Sequence, residues 1–423
     1  MRRTKQHGRA GINTGRLFLT IMLSVAMVAS MFFPGGSAAL AEELDDQDIE
    51  LVDLDLQEDT IEDQESEPTD DALQLDEEEQ KDEEEDLVTF DDEDLQVEVQ
   101  DNGQQPCASV TAGGTTTSYA NFADAVEAWK DTDGATLTLL SDVSGTDVPI
   151  ASGKRTIDLN GYGLRSGSDT GICTIDDLGE DDAQLTIVDG RPNAEHRYTD
   201  RVGDDPAVVD DSLTEGYKTF TGGYISSSVG DALWVVAATV SMEGITIIGC
   251  KYDGIYMYGG NLTAKECDII GCKSDGVYAT CGFVTMTGCI ITGCRNEGFD
   301  AEGCVATLTN CVISNCDCEG VEVDESVITI KGCIITGCRE QGVYIYDEEA
   351  LVDIVDTTIT GNTAPAYNES GDPYVGAGIC VKRGELSLGG AVEVYNNTVA
   401  GAPSNLYVAA THPVTIVGTL NNN

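Results

Sequence analysis

Four carboxylates are spaced for joint chemistry. Asp300 and Glu302 recur 22 residues later as Glu322 and Asp324, and aromatic residues keep the same two phases on either side. The first phase reads Trp234, Tyr256, Tyr278, Asp300, Glu322, Tyr344; the second reads Val236, Tyr258, Thr280, Glu302, Asp324, Tyr346. If each phase stacks strand upon strand, the acids form a grid with neighbours ~4.8 Å apart across strands and ~6.6 Å apart along one. Acids at that separation repel one another or share a cation, and oxygen-rich clusters suit calcium. Aromatic rings, apolar on their faces and polar at their rims, suit sugar rings. Together they predict a saccharide-binding strip with calcium as its candidate ion; a solvated sheet face whose tyrosines serve β propensity fits the same residues. A catalytic alternative is a calcium-assisted polysaccharide lyase or a glycosidase, because carboxylates ~5–9 Å apart can hydrolyse glycosides. Against it, the only histidines are His7, His196 and His412, and neither phase holds Arg or Lys to serve as a lyase base.

Such a grid needs a regular repeat to position it, and the sequence has one. Cys267, Cys289, Cys311 and Cys333 step by 22 residues, and so do Cys250, Cys272, Cys294, Cys316 and Cys338. Gly254, Gly276, Gly298, Gly320 and Gly342 keep that step. So do Ile247, Ile269, Ile291, Ile313 and Ile335, and the column Leu233, Ile255, Val277, Phe299, Val321 and Val343. Within the period apolar residues alternate and glycine interrupts, which means short strands with one buried face and tight turns between them. No helical period appears, and the consensus of a leucine-rich repeat is missing. The expected fold is all-β, a right-handed parallel β-helix of 22-residue coils, its hand set by the twist that governs parallel crossovers.

Inward candidates in one coil are Cys267, Ile269, Cys272, Val277, Ala279, Val284 and Met286. At roughly 1.5–3 kcal/mol for each large aliphatic against ~1.5 kcal/mol of entropy per ordered residue, a lone coil is unstable. Stability must come from stacked neighbours. Regular coils are expected over about 223–356, with Ser228 opening the second cysteine column and Asn362 continuing it after a coil longer by two. A loop over 363–375 then interrupts, and Val392, Val394 and Asn397 resume the pattern. Upstream, 156–159, 171–175 and 184–188 look like less regular coils around a polar insertion at 191–218. A short amphipathic helix over 121–130, with Phe122, Ala125, Val126 and Trp129 on one face and Gly134 as its stop, is the candidate cap for the open strand edges.

The ends bear on location. Basic residues over 2–16, an apolar run over 17–33 and the small residues before Ala41 read as a secretory signal over 1–41, cleaved after Ala41. An uncleaved membrane anchor is the alternative; in either case the membrane is met only through this segment. From 42 to 101 about half the residues are Asp or Glu and Lys81 is the only base. A stretch so charged cannot bury enough apolar surface to fold, so 42–104 is expected to be a disordered acidic linker, with calcium buffering or a basic partner as sharper readings. It holds more than half of the net charge of −54. Nucleic acid is excluded as a partner, because no basic patch exists to neutralise phosphates. The expected organisation is thus a signal to 41, linker 42–104, cap region 105–145 and β-helix 146–423, secreted or held at the cell surface. No sorting motif or second span follows before Asn421-Asn422-Asn423, so attachment is left open.

With these residues in view the chain resembles a family. Residues 119–126, 135–143 and 156–161 resemble the opening of Gram-positive surface proteins with pectate-lyase-like β-helix repeats, and 376–379, 394–398 and 404–408 resemble their closing coils. The likeness covers most of 107–420 and implies the fold; it implies little about activity, since most such proteins have no assigned catalysis. They usually hold Asn at the two inward positions where this chain repeats Cys.

Fifteen cysteines in an exported chain suggest disulfides, and stacked neighbours fall within the permitted Cα range. Parallel stacking, however, directs their side chains alike. Ladders of buried thiols, disulfides and a metal site all remain readings, with Cys281 and Cys304 the best-placed pair for a bridge. Finally, Lys251, Lys273, Arg295 and Arg339 run beside Asp253, Asp275, Glu297 and Glu319, a pattern that predicts salt-bridged exposed turns. Asp317 breaks the basic column and is expected to concentrate negative charge near Glu322 and Asp324.

Overall fold

The computed structural model describes residues 105–417 apart from 146–147, 151, 169–170, 176–182, 204, 369–370 and 410–413. The signal segment, the acidic linker, His7, His412 and the closing asparagines lie outside the described residues.

One coil shows how sequence becomes fold. Asp268–Ile270, Val277–Thr280 and Phe283–Thr287 are three short strands, and each pairs in parallel with the strand 22 residues on: Ile269 with Ile291, Val277 with Phe299, Val284 with Ala306. Repetition gives three stacked sheets of 13, 10 and 10 strands. Sheet 1 contains Phe283–Thr287, sheet 2 Asp268–Ile270 and sheet 3 Val277–Thr280. This is a right-handed parallel β-helix. Ile269, Val277, Ala279, Val284 and Met286 are each at most 2% exposed and form the core with their copies above and below.

The coil turns at left-handed corners that themselves recur, for example Gly271, Gly293, Asn315 and Gly337, which have φ between 57° and 72°. The glycines of the Gly254 column are needed for a different reason. A Cβ on Gly298 would sit 2.4 Å from Cγ2 of Ile313 and 2.8 Å from the Gly320 carbonyl oxygen. Close approach of the next coil, rather than a turn, demands glycine there.

The inward corner columns carry the cysteines. Sγ of Cys311 and of Cys333 each lies 3.4 Å from the carbonyl two residues earlier, and the Cys311 amide donates to Cys333 Sγ at 3.4 Å. Thr357 continues that column and Ser326 the column of Cys304, each bonding the carbonyl two residues back in the same way. In the other column Asn362 accepts from the Cys338 amide at 3.0 Å, and Asn397 accepts from the Asn362 amide at 3.0 Å. Cysteine, serine, threonine and asparagine therefore fill one local role. All fourteen described thiols at this count are free, Cys281 and Cys304 included, so the expected bridge is absent. Cys304 is buried and bonds Ser326, and burial pushes its thiol up to about 12, which removes the thiolate that disulfide formation needs. The column expected to open at Ser228 opens at Ser227 instead: Ser227 is fully buried, Ser228 is exposed, and the turn that follows is one residue longer than in the next coil.

Both ends of the sequence reading gain detail. The helix α1, Phe122–Lys130, buries Phe122, Ala125, Val126 and Trp129, and the Asn121 side chain caps it. Trp129 Nε1 donates to the carbonyls of Ala135 at 3.1 Å and Thr156 at 3.0 Å, tying the cap to the first two strands of sheet 1. A hairpin of Ala108–Ala112 and Thr115–Tyr119 closes the same edge by antiparallel pairing with Ala135–Leu139. The insertion folds into a small antiparallel sheet of Glu195–Thr199, Val208–Val209 and Lys218–Thr221. Its Tyr198, Ala207, Val209 and Phe220 cover the outward Ile248 and Ile270 of sheet 2. From it Arg201 reaches the Gly293 carbonyl at 2.9 Å and pairs with Asp317, which Arg339 also meets at 3.2 Å. Asp317 is thus the anchor between two guanidinium groups and does not add negative charge to the grid.

Replacing Gly298 by Ala should cost about 1–3 kcal/mol, the usual penalty for overpacking. Urea unfolding of the two proteins measures it, and an unchanged midpoint would show that the coils can part without loss.

Candidate functional site

Sheet 3 brings the sequence-predicted residues onto one face. Its strands pair Trp234 with Tyr256, Tyr256 with Tyr278, Tyr278 with Asp300, Asp300 with Glu322 and Glu322 with Tyr344. The second phase pairs Tyr258 with Thr280, Thr280 with Glu302 and Glu302 with Asp324. The rings do not stand alike. Trp234 and Tyr256 meet edge to face at 5.1 Å and Tyr256 lies 5.5 Å from Tyr278, so Tyr256 is buried between its neighbours. The Tyr278 hydroxyl donates to Glu302, and burial and that carboxylate push the phenol well above its ordinary range. Tyr344 and Tyr346 pack at 5.8 Å with Tyr346 open to solvent, and Tyr258 is half-buried. The accessible platforms are therefore at the Tyr344 end of the grid.

The corner leading into sheet 3 holds what the turn pattern concealed. Asp231, Asp253, Asp275, Glu297, Glu319 and Gln341 form a column with a 22-residue step, and Asp253, Asp275 and Glu319 are buried. The expected exposed salt-bridged turns are thereby corrected. The Asp253 amide donates to Asp231 at 2.7 Å and the Asp275 amide to Asp253 at 3.0 Å, so these carboxylates serve backbone groups of the next coil. Further along, the acids face one another: Glu297 lies beside Asp275, and Glu340 and the Tyr374 hydroxyl lie within the field of Glu319. Burial, then the neighbouring acids, hold Glu297 and Glu319 well above the usual carboxylate range. Burial and four nearby carboxylates likewise push the Cys318 thiol up.

Carboxylate oxygens of Asp275, Glu297 and Asp300 lie within 4.8 Å of one another, as do ligand atoms of Glu297, Cys318 and Glu319. Of the predicted grid, Asp300 alone joins such a group among the described residues; Glu302, Glu322 and Asp324 do not. Cys318, Glu340, Gln341 and Tyr374 escaped the sequence reading. A signal existed for three of them: Cys318 and Glu340 belong to the column Tyr252, Ser274, Asn296, and Gln341 follows Glu319 at the same step. Tyr374, on the interrupting loop, had none.

A groove of ≈ 600 Å³ lies elsewhere, lined by residues including Asp142, Tyr162, Arg191, Glu195 and Asp211 where the insertion meets the first coils. His196 at its base is 2.9 Å from Asp211 through Nδ1 and 3.1 Å from the Gly161 carbonyl through Nε2, with its ring stacked on Phe220. Both nitrogens are committed to holding the insertion in place.

The raised carboxyls tie stability to pH. The folded chain binds those protons more tightly than the unfolded chain, so their contribution is fullest near and below the ordinary glutamate value and declines as pH rises past it. With a chelator present, the melting temperature should fall between about pH 5 and pH 8, and Glu297→Gln with Glu319→Gln should flatten that fall. Equal slopes for both proteins would refute the assignment.

Residues 232–399 match the family described as the right handed beta helix region. Among curated proteins none matches the sequence. Solved structures similar to this chain include a periplasmic alginate epimerase, AlgG, at 12% identity over 76% of this chain and 96% of that one, with a TM-score of 0.34. The Agl-KA catalytic domain is similar at 11% identity over 65% of this chain and 62% of that one, TM-score 0.31. So is the tailspike protein gp49 of an Acinetobacter baumannii bacteriophage, a capsular polysaccharide depolymerase, at 12% over 66% of this chain and 57% of that one, TM-score 0.26.

Proposed function

We propose that this chain is an exported, non-catalytic binding module that holds a polysaccharide or cell-surface glycan along the outward face of sheet 3. In this reading 1–41 is the signal, 42–104 a stalk, 105–145 the cap and 146–423 the ligand-bearing β-helix, displayed outside the cell. The observation that carries it is the in-register row of Trp234, Tyr256, Tyr278, Asp300, Glu322 and Tyr344 on a rigid parallel sheet. Sugar rings repeat along a chain, and so do the groups on this face. Tyr344 and Tyr346 provide the stacking platforms, with Tyr258, Tyr278, Tyr256 and Trp234 continuing the strip behind the acids. Calcium between Asp300, Glu302, Glu322 and Asp324 would join the face to anionic sugars, because hard cations accept carboxylate oxygens from both sides.

Titration calorimetry with neutral and uronic polysaccharides, with and without calcium, tests the reading. Tyr346→Ala and Tyr344→Ala should each weaken binding about two- to twelvefold, from ~0.5–1.5 kcal/mol per ring contact. These two suit the test better than Tyr256, whose removal would open a cavity beneath its neighbours. Unchanged affinity in both variants would remove sheet 3 as the binding face. Release of new sugar ends, abolished by Asp300→Asn, would establish the lyase or glycosidase instead.

A further inference from the structure

Glu297 and Cys318, both half-buried, and the buried Glu319 occupy one corner. Their ligand atoms, two carboxylates and a thiol, all lie within 4.8 Å of one another. The coil stack fixes them there: Gly298 donates its amide to the Glu319 carbonyl at 3.0 Å, and Cys318 donates its own to Asn296 at 3.4 Å. Independent of these acids, the next coil adds an oxygen with nothing to bind. Gln341 is stacked on Glu319 through the Gly320 amide and is only 2% exposed. Its Nε2 donates to the Val375 carbonyl at 3.5 Å, and the nearby Cys380 thiol lies within the field of Glu319. Gln341 Oε1 has no hydrogen-bond partner among the described residues. A buried amide oxygen is normally satisfied, and this one belongs to the residue stacked directly over Glu319.

We infer that Glu297, Cys318, Glu319 and the Gln341 amide oxygen form a binding site for a divalent cation of the zinc class. A cation gives Gln341 Oε1 the partner it lacks and offsets the carboxylates stacked beneath it. The thiol selects the metal: calcium and magnesium take oxygen ligands, whereas zinc takes thiolate and carboxylate together. Donors ~2.0–2.3 Å from a tetrahedral ion are about 3.3–3.8 Å apart, a separation that a trio already within 4.8 Å reaches by side-chain adjustment alone. On binding, the Cys318 S–H proton and any proton held on the Glu297 and Glu319 carboxyls pass to solvent, and lone pairs of the sulfur and of the carboxylate oxygens go to the ion. Asp275, with a carboxylate oxygen within 4.8 Å of Glu297, and Glu340 flank the ligand carboxyls and add to the negative field that a cation offsets.

The test uses the full chain, reduced and stripped by chelator. Zinc titrated against a chromophoric competitor should bind at about one ion per chain, and cobalt should give a thiolate charge-transfer band in the near ultraviolet. Cys318→Ser should lose the band and weaken zinc at least about tenfold, since even outer-shell losses cost about 10–100-fold; Gln341→Leu should weaken zinc while keeping the band. Cys281→Ser, a partly exposed thiol outside the corner, should change neither. In the wild-type chain, which needs no variant to fold, zinc should slow alkylation of Cys318 and leave Cys281 unprotected. Full zinc affinity in Cys318→Ser, absence of protection at Cys318, or displacement of zinc by equimolar calcium would each overturn the site. Glycan binding is not among these readouts, so their failure leaves the proposal for sheet 3 standing.

Discussion

Everything in this molecule depends on register: in all three sheets a side chain stands over the side chain 22 residues on. Stacked parallel strands are ~4.8 Å apart, so each residue meets its own repeat as its closest neighbour. An apolar column gains from that arrangement at every layer. A polar column survives only where each member finds a backbone partner, because two like charges at that distance repel by ~3–4 kcal/mol at an effective dielectric of about 20. The sequence obeys this rule position by position. Asp231 and Asp253 each accept the backbone amide of the aspartate one coil on, and the inward cysteines bond carbonyls within their own turns.

The same constraint explains why thiols can replace asparagines inside the coil. A buried amide brings two donors and an acceptor that must all be met, and each failure costs ~1–3 kcal/mol. Asn397 meets the demand by donating to Ile359 and Tyr395 while accepting from Asn362. A thiol asks less, being a small hydrophobe with one weak donor. Burial disfavours a thiolate at such a position, and the thiols of Cys311 and Cys333 direct their hydrogens to carbonyls of their own turns. A ladder of such groups packs as core and tolerates small differences between coils.

Legibility in the sequence followed strand geometry. Where residues alternate along a strand, inward and outward are fixed by parity, and the columns of Ile269, Val277 and Val284 could be read directly. At corners parity fails. Asp253 and Asp275 each sit two residues after a lysine in sequence, yet the corner turns their carboxyls inward, so a pattern that reads as a charged exposed turn is a buried stack. Long-range docking was equally hidden. Nothing near Asp317 in sequence announces Arg201, more than a hundred residues earlier, and only the folded insertion places the two together. The ring column was legible as a column but not in its depth, since the burial of Tyr256 follows from the rings above and below it.

The acid column records how far a stack can carry charge before the fold must supply something else. It runs through three aspartates, lengthens to Glu297 and Glu319, and ends at a neutral glutamine. Asp231 and Asp253 lie where a carboxylate reaches the backbone amide of the adjacent coil. Glu297 and Glu319 lie among other acids and Cys318, and burial with those neighbours holds their carboxyls well above the usual range. Gln341 stands where the chain from the interrupting loop closes over the corner and the Val375 carbonyl needs a donor, which an amide can provide and a carboxylate cannot. Elsewhere local preference, packing and hydrogen bonding agree from coil to coil. Here ionisable acids are packed against one another beside sheet 3, and such local conflict in an otherwise consistent fold is where function is expected to reside.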